Sequence, residues 1–106
     1  KVYSELGNTT INPIKASANP EEFGVADIIL FCVKAFDTQT AANLIKPIVG
    51  NNTGVIPFLN GLGHVEILKA TLGEDAVIGG VANISALIEA PLCAKFPVLY
   101  NSGTCL

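Results

Sequence analysis

The 106-residue sequence contains no methionine and no tryptophan, and it begins at Lys1. Because an initiator methionine is absent, we interpret the chain as a fragment, or as a product whose ends have been removed. Only 14% of its residues are charged, against about a quarter in ordinary soluble domains. So few charges leave apolar faces, which we expect missing sequence or another subunit to cover. The length suffices for one small α/β domain but not for two domains.

Signals for membranes, secretion and nucleic acids are also missing. No apolar run has the length of a membrane span, and residues 1–16 lack the apolar core of a signal peptide. The net charge of −3 argues against nucleic-acid binding and against anionic membranes. The three cysteines form no CxxC pair, and Cys32 lies in an apolar run, where we expect a buried, reduced thiol. These absences favour a cytoplasmic protein.

What the sequence does contain is an alternation of apolar strands and amphipathic helices. In chain order the pattern predicts a strand at Ile28–Val33, a helix from Asp37 to about Lys46, a strand at Val55–Leu59, a helix carrying Val65, Leu68 and Leu72 that stops at Gly73, and a strand beginning at Ala76–Val81 that Asn83–Glu89 would extend. The order βαβαβ is typical of an open parallel sheet with both helices on one face. Such strands are usually buried on both faces, which would also account for the low charge.

Prolines and one polar segment set the expected boundaries. Pro13 limits a strand at Thr9–Ser17 to a sheet edge, and Pro47 should end the first helix. Gly50-Asn51-Asn52 is expected to form a turn. Pro57 counts against the strand that contains it, because a central strand needs every backbone donor.

Candidate site residues follow the predicted strands, at the edge where open parallel sheets bind ligands. Lys34 offers a positive charge that suits a phosphate or the carboxylate of a keto acid. Asn60 offers a carboxamide that both donates and accepts hydrogen bonds. The segment around Ile84–Ala86 follows or lies within the third strand. Taken alone, Lys34 also fits a solvated lysine, Asn60 also fits an Asn-Gly turn, and Thr38 suggests no chemistry.

The segment Gly61-Leu62-Gly63 opens a helix but does not complete the dinucleotide fingerprint G-x-G-x-x-G. The third glycine position holds Glu66, whose carboxylate would repel a pyrophosphate. What remains is a weak anion site at a helix N-terminus. His64 has no partner for a triad or a metal site and is interpreted as a surface residue. Glu66 and Lys69 are expected to form an exposed ion pair.

Three segments, in this order and spacing, resemble the ketopantoate reductase family. They are ADIILFCVKAFDT (Ala26–Thr38), NGLG (Asn60–Gly63) and GGVANISA (Gly79–Ala86). The resemblance covers roughly Thr9 to Pro91, and residues 92–106 do not align.

The resemblance implies a Rossmann-like open parallel sheet with helices. Residues 1–106 would form part of a single NADP-binding domain whose first strand and glycine-rich loop lie before Lys1, with the C-terminal helical substrate domain absent. It implies reduction of ketopantoate to pantoate with NADPH, in pantothenate and coenzyme A biosynthesis. Lys34 would bind the cofactor, Asn60 would lie between cofactor and substrate, and Ala86 would contact the cofactor through its backbone. No residue matches the family's catalytic lysine.

Two alternatives stay open. The protein could be another NAD(P)-dependent hydroxy-acid dehydrogenase, because the substrate domain decides the substrate. It could also be a non-catalytic nucleotide-binding module, since a fold does not determine a function. In either case the missing first strand would expose a sheet edge, and we expect the fragment to form a homo-oligomer.

Overall fold

The computed structural model describes residues 2–3, 7–80, 87–90 and 93–95. The chain divides into two compact units, Ala16–Ala82 on the one hand and Lys1–Lys15 with Asn83–Leu106 on the other. The strands are β1 (Val2–Tyr3), β2 (Ala26–Phe31), β3 (Val49–Pro57), β4 (Leu87–Ala90) and β5 (Cys93–Lys95), and the α-helices are α1 (Thr38–Ile45) and α2 (His64–Leu72). Short 3-10 segments lie at Pro20–Phe23, Ala35–Asp37, Lys46–Ile48 and Glu74–Ala76.

The unit Ala16–Ala82 is built on the parallel pair β2 and β3, as predicted. Ile29 lies opposite Val55, and Phe31 lies opposite Pro57. A third parallel segment adds a single bridge, in which Val77 pairs with Val55. The predicted strand at Ala76–Val81 is therefore reduced to that bridge among the residues described.

Pro57 explains why pairing with the third segment stops, and it does not interrupt the pairing of β3 with β2 at the carboxyl end of β3. The Phe58 N–H donates to the Phe31 carbonyl oxygen, and the Ile78 N–H donates to that of Val55, each at 2.9 Å. Because backbone groups alternate in direction along a strand, residues 55 and 57 direct theirs away from β2. The N–H that Pro57 lacks would therefore point toward the third segment, and pairing with that segment stops there. The hydrogen bonds between β2 and this end of β3 do not need it.

Both helices pack on the same face of this sheet, as the βαβαβ pattern predicts. The core consists of Phe31 from β2, Val55 from β3, Ala42 from α1 and Leu68 from α2, all of them buried. Alternation along the strands directs every second residue into this core.

The opposite face of the sheet is exposed, so the expectation that the strands are buried on both faces is wrong for this chain. Ile28 and Leu30 of β2 are 63% and 60% exposed, and Ile78 beside β3 is also exposed. Cys32 continues the same alternation and is exposed as well, so the predicted buried thiol is also wrong. None of the described helices packs against this face.

The segment Gly50-Asn51-Asn52 lies inside β3 and is not the predicted turn. The pairing passes from Ala26 opposite Val49 to Ile28 opposite Gly54, which leaves extra residues on β3 as a bulge. The Thr53 hydroxyl stabilises the bulge, because it accepts from the Gly50 N–H at 2.8 Å and donates to the Ala26 carbonyl oxygen.

The helix ends follow local signals. α1 ends at Ile45 and passes into the 3-10 segment around Pro47, and α2 ends at Leu72, with Gly73 as its C-cap residue at a φ of +104°. Asp37 occupies the N-cap position of α1, but its side chain makes no capping hydrogen bond. Neither α-helix is long and apolar enough to cross a membrane, as far as the described residues go.

The predicted edge strand at Thr9–Ser17 is wrong. Thr9 makes one antiparallel bridge to Val2, and residues 7–19 are all exposed. Because this segment buries no face, it gains nothing by extending a sheet.

The other unit has its own three-stranded sheet, in the order β1-β5-β4. β5 pairs parallel with β1 and antiparallel with β4. β4 covers the last three residues of the predicted extension at Asn83–Glu89 but belongs to this sheet and not to that of β2 and β3. Residues 81–86 lie outside the described residues.

Candidate functional site

Lys34 and Asn60 follow the two paired strands at equal distances along the chain. Phe31 lies opposite Pro57 at the carboxyl ends of β2 and β3. Lys34 comes three residues after Phe31, and Asn60 comes three residues after Pro57. The prediction that both residues follow neighbouring strands at one sheet edge is confirmed.

The loops that carry these two residues lie side by side. A Cβ atom added to Gly61 would lie 3.8 Å from the Cβ atom of Ala35, which is ordinary van der Waals contact. Gly61 has a φ of +113°, a conformation that other residues rarely adopt. A glycine at this position lets the loop after β3 turn directly beside the loop after β2.

The loop after β2 is held by hydrogen bonds on both sides of Phe36. The Asp37 N–H donates to the Lys34 carbonyl oxygen at 2.9 Å, and the Thr38 hydroxyl donates to that of Ala35 at 2.8 Å. Thr38 is buried, with 1% of its surface exposed. Sequence reasoning missed this role, although a threonine directly after the N-cap residue of a helix is a recognisable signal.

The Lys34 and Asn60 side chains are exposed and make no hydrogen bond or ion pair with any other described residue. An Asn-Gly turn would ordinarily use the asparagine side chain to bond a nearby backbone group, and no such bond is present in residues 7–80. The ammonium of Lys34 and the carboxamide of Asn60 are therefore available to a ligand.

The N-terminus of α2 borders the same edge. Its N-cap residue Gly63 has a φ of +86° and provides no side-chain cap. The first backbone N–H groups of the helix have no partner within the helix, and they are the groups that attract anions at helix N-termini. This geometry agrees with the weak anion site expected from Gly61-Leu62-Gly63.

His64 is not the surface residue that the sequence suggested. It is half-buried, and its Nδ1 atom is buried without a hydrogen-bond partner among the described residues. A position in the first turn of an amphipathic helix is compatible with either environment, so the sequence could not distinguish them.

The predicted ion pair, metal ligands and third cofactor residue have different outcomes. The Lys69 ammonium pairs with Glu74 at 3.4 Å, so the predicted partner Glu66 is wrong. In the described part of the chain, no group of three or more His, Cys, Asp or Glu side chains could hold a metal ion. Ala86, the third predicted cofactor residue, lies outside the described residues.

A pyridine dinucleotide fits the groups at this edge. The exposed Lys34 ammonium suits a phosphate, and the Asn60 carboxamide suits ribose or substrate hydroxyl groups. The slim backbone at Gly61 and Gly63 permits close approach to a ligand. Apart from the uncapped N-terminus of α2, the described residues offer no loop that could hold a pyrophosphate.

Comparison with known proteins agrees with a dinucleotide-binding site. The model of the family described as "Ketopantoate reductase PanE/ApbA", whose members are NAD(P)-dependent oxidoreductases, matches residues 1–96. The chain is 32% identical over 88 residues to the uncharacterised oxidoreductase YkpB of Bacillus subtilis, with 83% of the chain covered. It is 37% identical over 67 residues to a 2-dehydropantoate 2-reductase of Aquifex aeolicus, with 62% covered.

The fold is also that of a solved member of the family. The crystal structure of 2-dehydropantoate 2-reductase from Geobacter metallireducens matches 90% of this chain with a TM-score of 0.82 and 33% identity. The predicted Rossmann-like parallel sheet with helices is confirmed. This chain spans only 28% of the Bacillus protein, 22% of the Aquifex protein and 32% of the Geobacter chain.

Proposed function

Because the chain belongs to the ketopantoate reductase family, we propose that the full-length protein containing it reduces 2-dehydropantoate (ketopantoate) to pantoate with NADPH. The reaction is a step toward pantothenate and coenzyme A, and we place it in the cytoplasm. Residues 1–106 form part of one NADP-binding domain in this proposal. The helical domain that would complete the substrate site lies elsewhere in the full-length protein.

One observation carries the proposal. The parallel register of β2 and β3 puts Lys34 and Asn60 at equivalent positions of one sheet edge, on adjacent loops, and neither side chain bonds another described residue. Carboxyl edges of parallel sheets are where such folds bind nucleotides.

The roles proposed for the residues follow from their chemistry. NADPH, when bound, supplies the hydride that reduces the keto carbon. Lys34 neutralises a phosphate of the cofactor, and Asn60 holds the cofactor ribose and the substrate oxygen in register. For Ala86, which lies outside the described residues, a backbone contact with the cofactor is proposed from the family resemblance alone. The proton that the new alkoxide needs comes from a donor in the helical domain, because no residue of this chain is assigned that role.

The decisive experiment replaces Asn60 in the full-length protein. Asn60→Ala should lower kcat/KM by about 1–3 kcal/mol, or roughly 5- to 150-fold, because polar partners are left unpaired in a closed site. Asn43→Ala is a matched control, because Asn43 is exposed on α1 and should leave the kinetics unchanged. If Asn60→Ala lowers the melting temperature and the kinetics stay normal, Asn60 only shapes a turn and the assignment fails.

Lys34→Ala should mainly weaken binding of the cofactor. Removing a charge from an anionic ligand weakens binding, so KM for NADPH should rise more than kcat falls. Lys46→Ala, a change of another exposed lysine, is the control. Equal effects of both substitutions would mean that only the general charge of the surface matters.

A second candidate is an NAD(P)-dependent reductase of another 2-keto acid, because one relative, YkpB, is named only as an uncharacterised oxidoreductase, with no substrate in its name. Steady-state kinetics of the full-length protein with ketopantoate and with smaller or aromatic 2-keto acids, each with NADPH and NADH, distinguish the two. A higher kcat/KM for another keto acid would replace ketopantoate as the substrate.

The 106-residue chain by itself should be inert. The described residues contain neither a pyrophosphate loop nor an assigned proton donor. An absorbance assay with NADPH and ketopantoate should show no turnover above the buffer rate. Clear turnover by the purified chain would contradict the proposal that the rest of the full-length protein supplies the pyrophosphate loop and the proton donor.

A further inference from the structure

Two large apolar side chains stand out at the candidate site. Phe36 is 85% exposed and Leu62 is fully exposed. Phe36 follows Lys34 by two residues, and Leu62 follows Asn60 by two residues. Single exposed apolar residues are common on protein surfaces, but these two lie on adjacent loops, beside Ala35 and Gly61.

Both exposed side chains lie on backbone with defined local structure. Phe36 lies between the Asp37–Lys34 and Thr38–Ala35 hydrogen bonds. Leu62 lies between Gly61 and Gly63, whose positive φ values of +113° and +86° define the turn. Each of these loops therefore presents an apolar side chain next to a polar candidate residue.

We propose that Phe36 and Leu62 form one apolar contact surface for a ring of the bound dinucleotide, a proposal that rests on the function proposed above. A dinucleotide combines anionic phosphates with flat, largely apolar rings, and this edge combines the Lys34 cation and the Asn60 amide with two apolar side chains. Ligand sites in proteins typically join a few polar groups to apolar walls in this way. The aromatic face of Phe36 suits stacking on a ring.

The ring could belong to either half of the cofactor, and the experiment separates them. Calorimetry at several temperatures measures binding of NADPH, reduced nicotinamide mononucleotide and adenosine 2′,5′-bisphosphate to the full-length protein. The variants are Phe36→Ala, Leu62→Ala and the control Leu44→Ala, whose residue is also exposed but lies on α1.

Each site variant should bind NADPH roughly tenfold more weakly, since each removes an apolar contact. The heat-capacity change of binding should become less negative in both variants, because less apolar surface is buried. The half-cofactor that carries the contacted ring should show the same losses, and Leu44→Ala should match the wild type.

Unchanged NADPH affinity in either site variant would overturn the shared surface. So would a change in sedimentation with unchanged affinity, because the two side chains would then belong to a protein contact. Failure of the wild-type protein to bind NADPH at all would instead remove the proposed function, so the two failures can be told apart.

Discussion

The two faces of the β2–β3 sheet are similarly apolar in sequence but have opposite surroundings. Ile29 and Phe31 direct their side chains to the face that α1 and α2 cover, whereas Ile28 and Leu30 direct theirs to the exposed face. The hydrophobic run of β2 therefore indicates that both faces of the strand are suited to burial. It does not indicate which face is covered in the described chain, because that depends on where the helices pack.

The largest expected difference between the faces concerns their leucine side chains. Leu68 packs on the covered face and is 0% exposed, so Leu68→Ala should lower the free energy of unfolding by about 2–5 kcal/mol. Leu30→Ala on the exposed face should cost at most about 0.5 kcal/mol in the 106-residue chain. Urea unfolding at low protein concentration measures both.

Repeating Leu30→Ala in the full-length protein sharpens the comparison. A cost comparable to that of Leu68→Ala would show that further sequence covers this face. Equal costs of the two substitutions in the 106-residue chain itself would contradict the exposed face described above.

Association of the chain is the second test of the exposed face. We expect the 106-residue chain to self-associate, because an apolar sheet face is open to solvent. The double substitution Ile28→Lys and Leu30→Lys should weaken association by about tenfold or more, since two apolar contacts are lost. Sedimentation velocity measures the effect, and Leu44→Lys on α1 is the control. A stable wild-type monomer at high concentration would contradict the expectation.

Removing a buried hydroxyl on the covered face should lower the free energy of unfolding by less than Leu68→Ala does. Thr53 is buried and bonds both the Gly50 N–H and the Ala26 carbonyl oxygen. Thr53→Val keeps the shape of the side chain but leaves both backbone groups unsatisfied, at a cost of about 1–3 kcal/mol. The exposed Thr40 is the matched control, and Thr40→Val should change the unfolding midpoint little. Similar costs at both positions would show that the bulge does not depend on Thr53.

The smallest expected effect is that of the surface ion pair. The Lys69 and Glu74 side chains are both exposed, and such pairs contribute at most about 1 kcal/mol. Lys69→Gln should therefore shift the urea midpoint little, and Glu66→Gln should shift it even less. A larger loss for Glu66→Gln would restore the partner expected from helix spacing.

Much of the site position could be predicted because it depends on chain order. A strand followed by a helix places the next residues at a carboxyl edge, so Lys34 and Asn60 were found from two apolar runs alone. The bulge at Gly50-Asn51-Asn52 could not be found, because one of its two stabilising bonds joins Thr53 to Ala26, 27 residues away. The exposure of Phe36 and Leu62 was missed for a related reason, since apolar side chains are expected inside until the backbone around them is known.

The sequence by itself determined the features that depend on neighbouring residues. Pro47 ended α1, Gly73 ended α2, and β-branched and aromatic runs produced strands, because each effect acts within one turn or one strand. Only the tertiary structure decided the features that depend on distant partners. These are the register of β2 on β3, the outward direction of the backbone at Pro57 and the face that the helices cover. Local backbone preferences are encoded at each residue, whereas pairing and coverage are set by which surfaces the folded chain brings together.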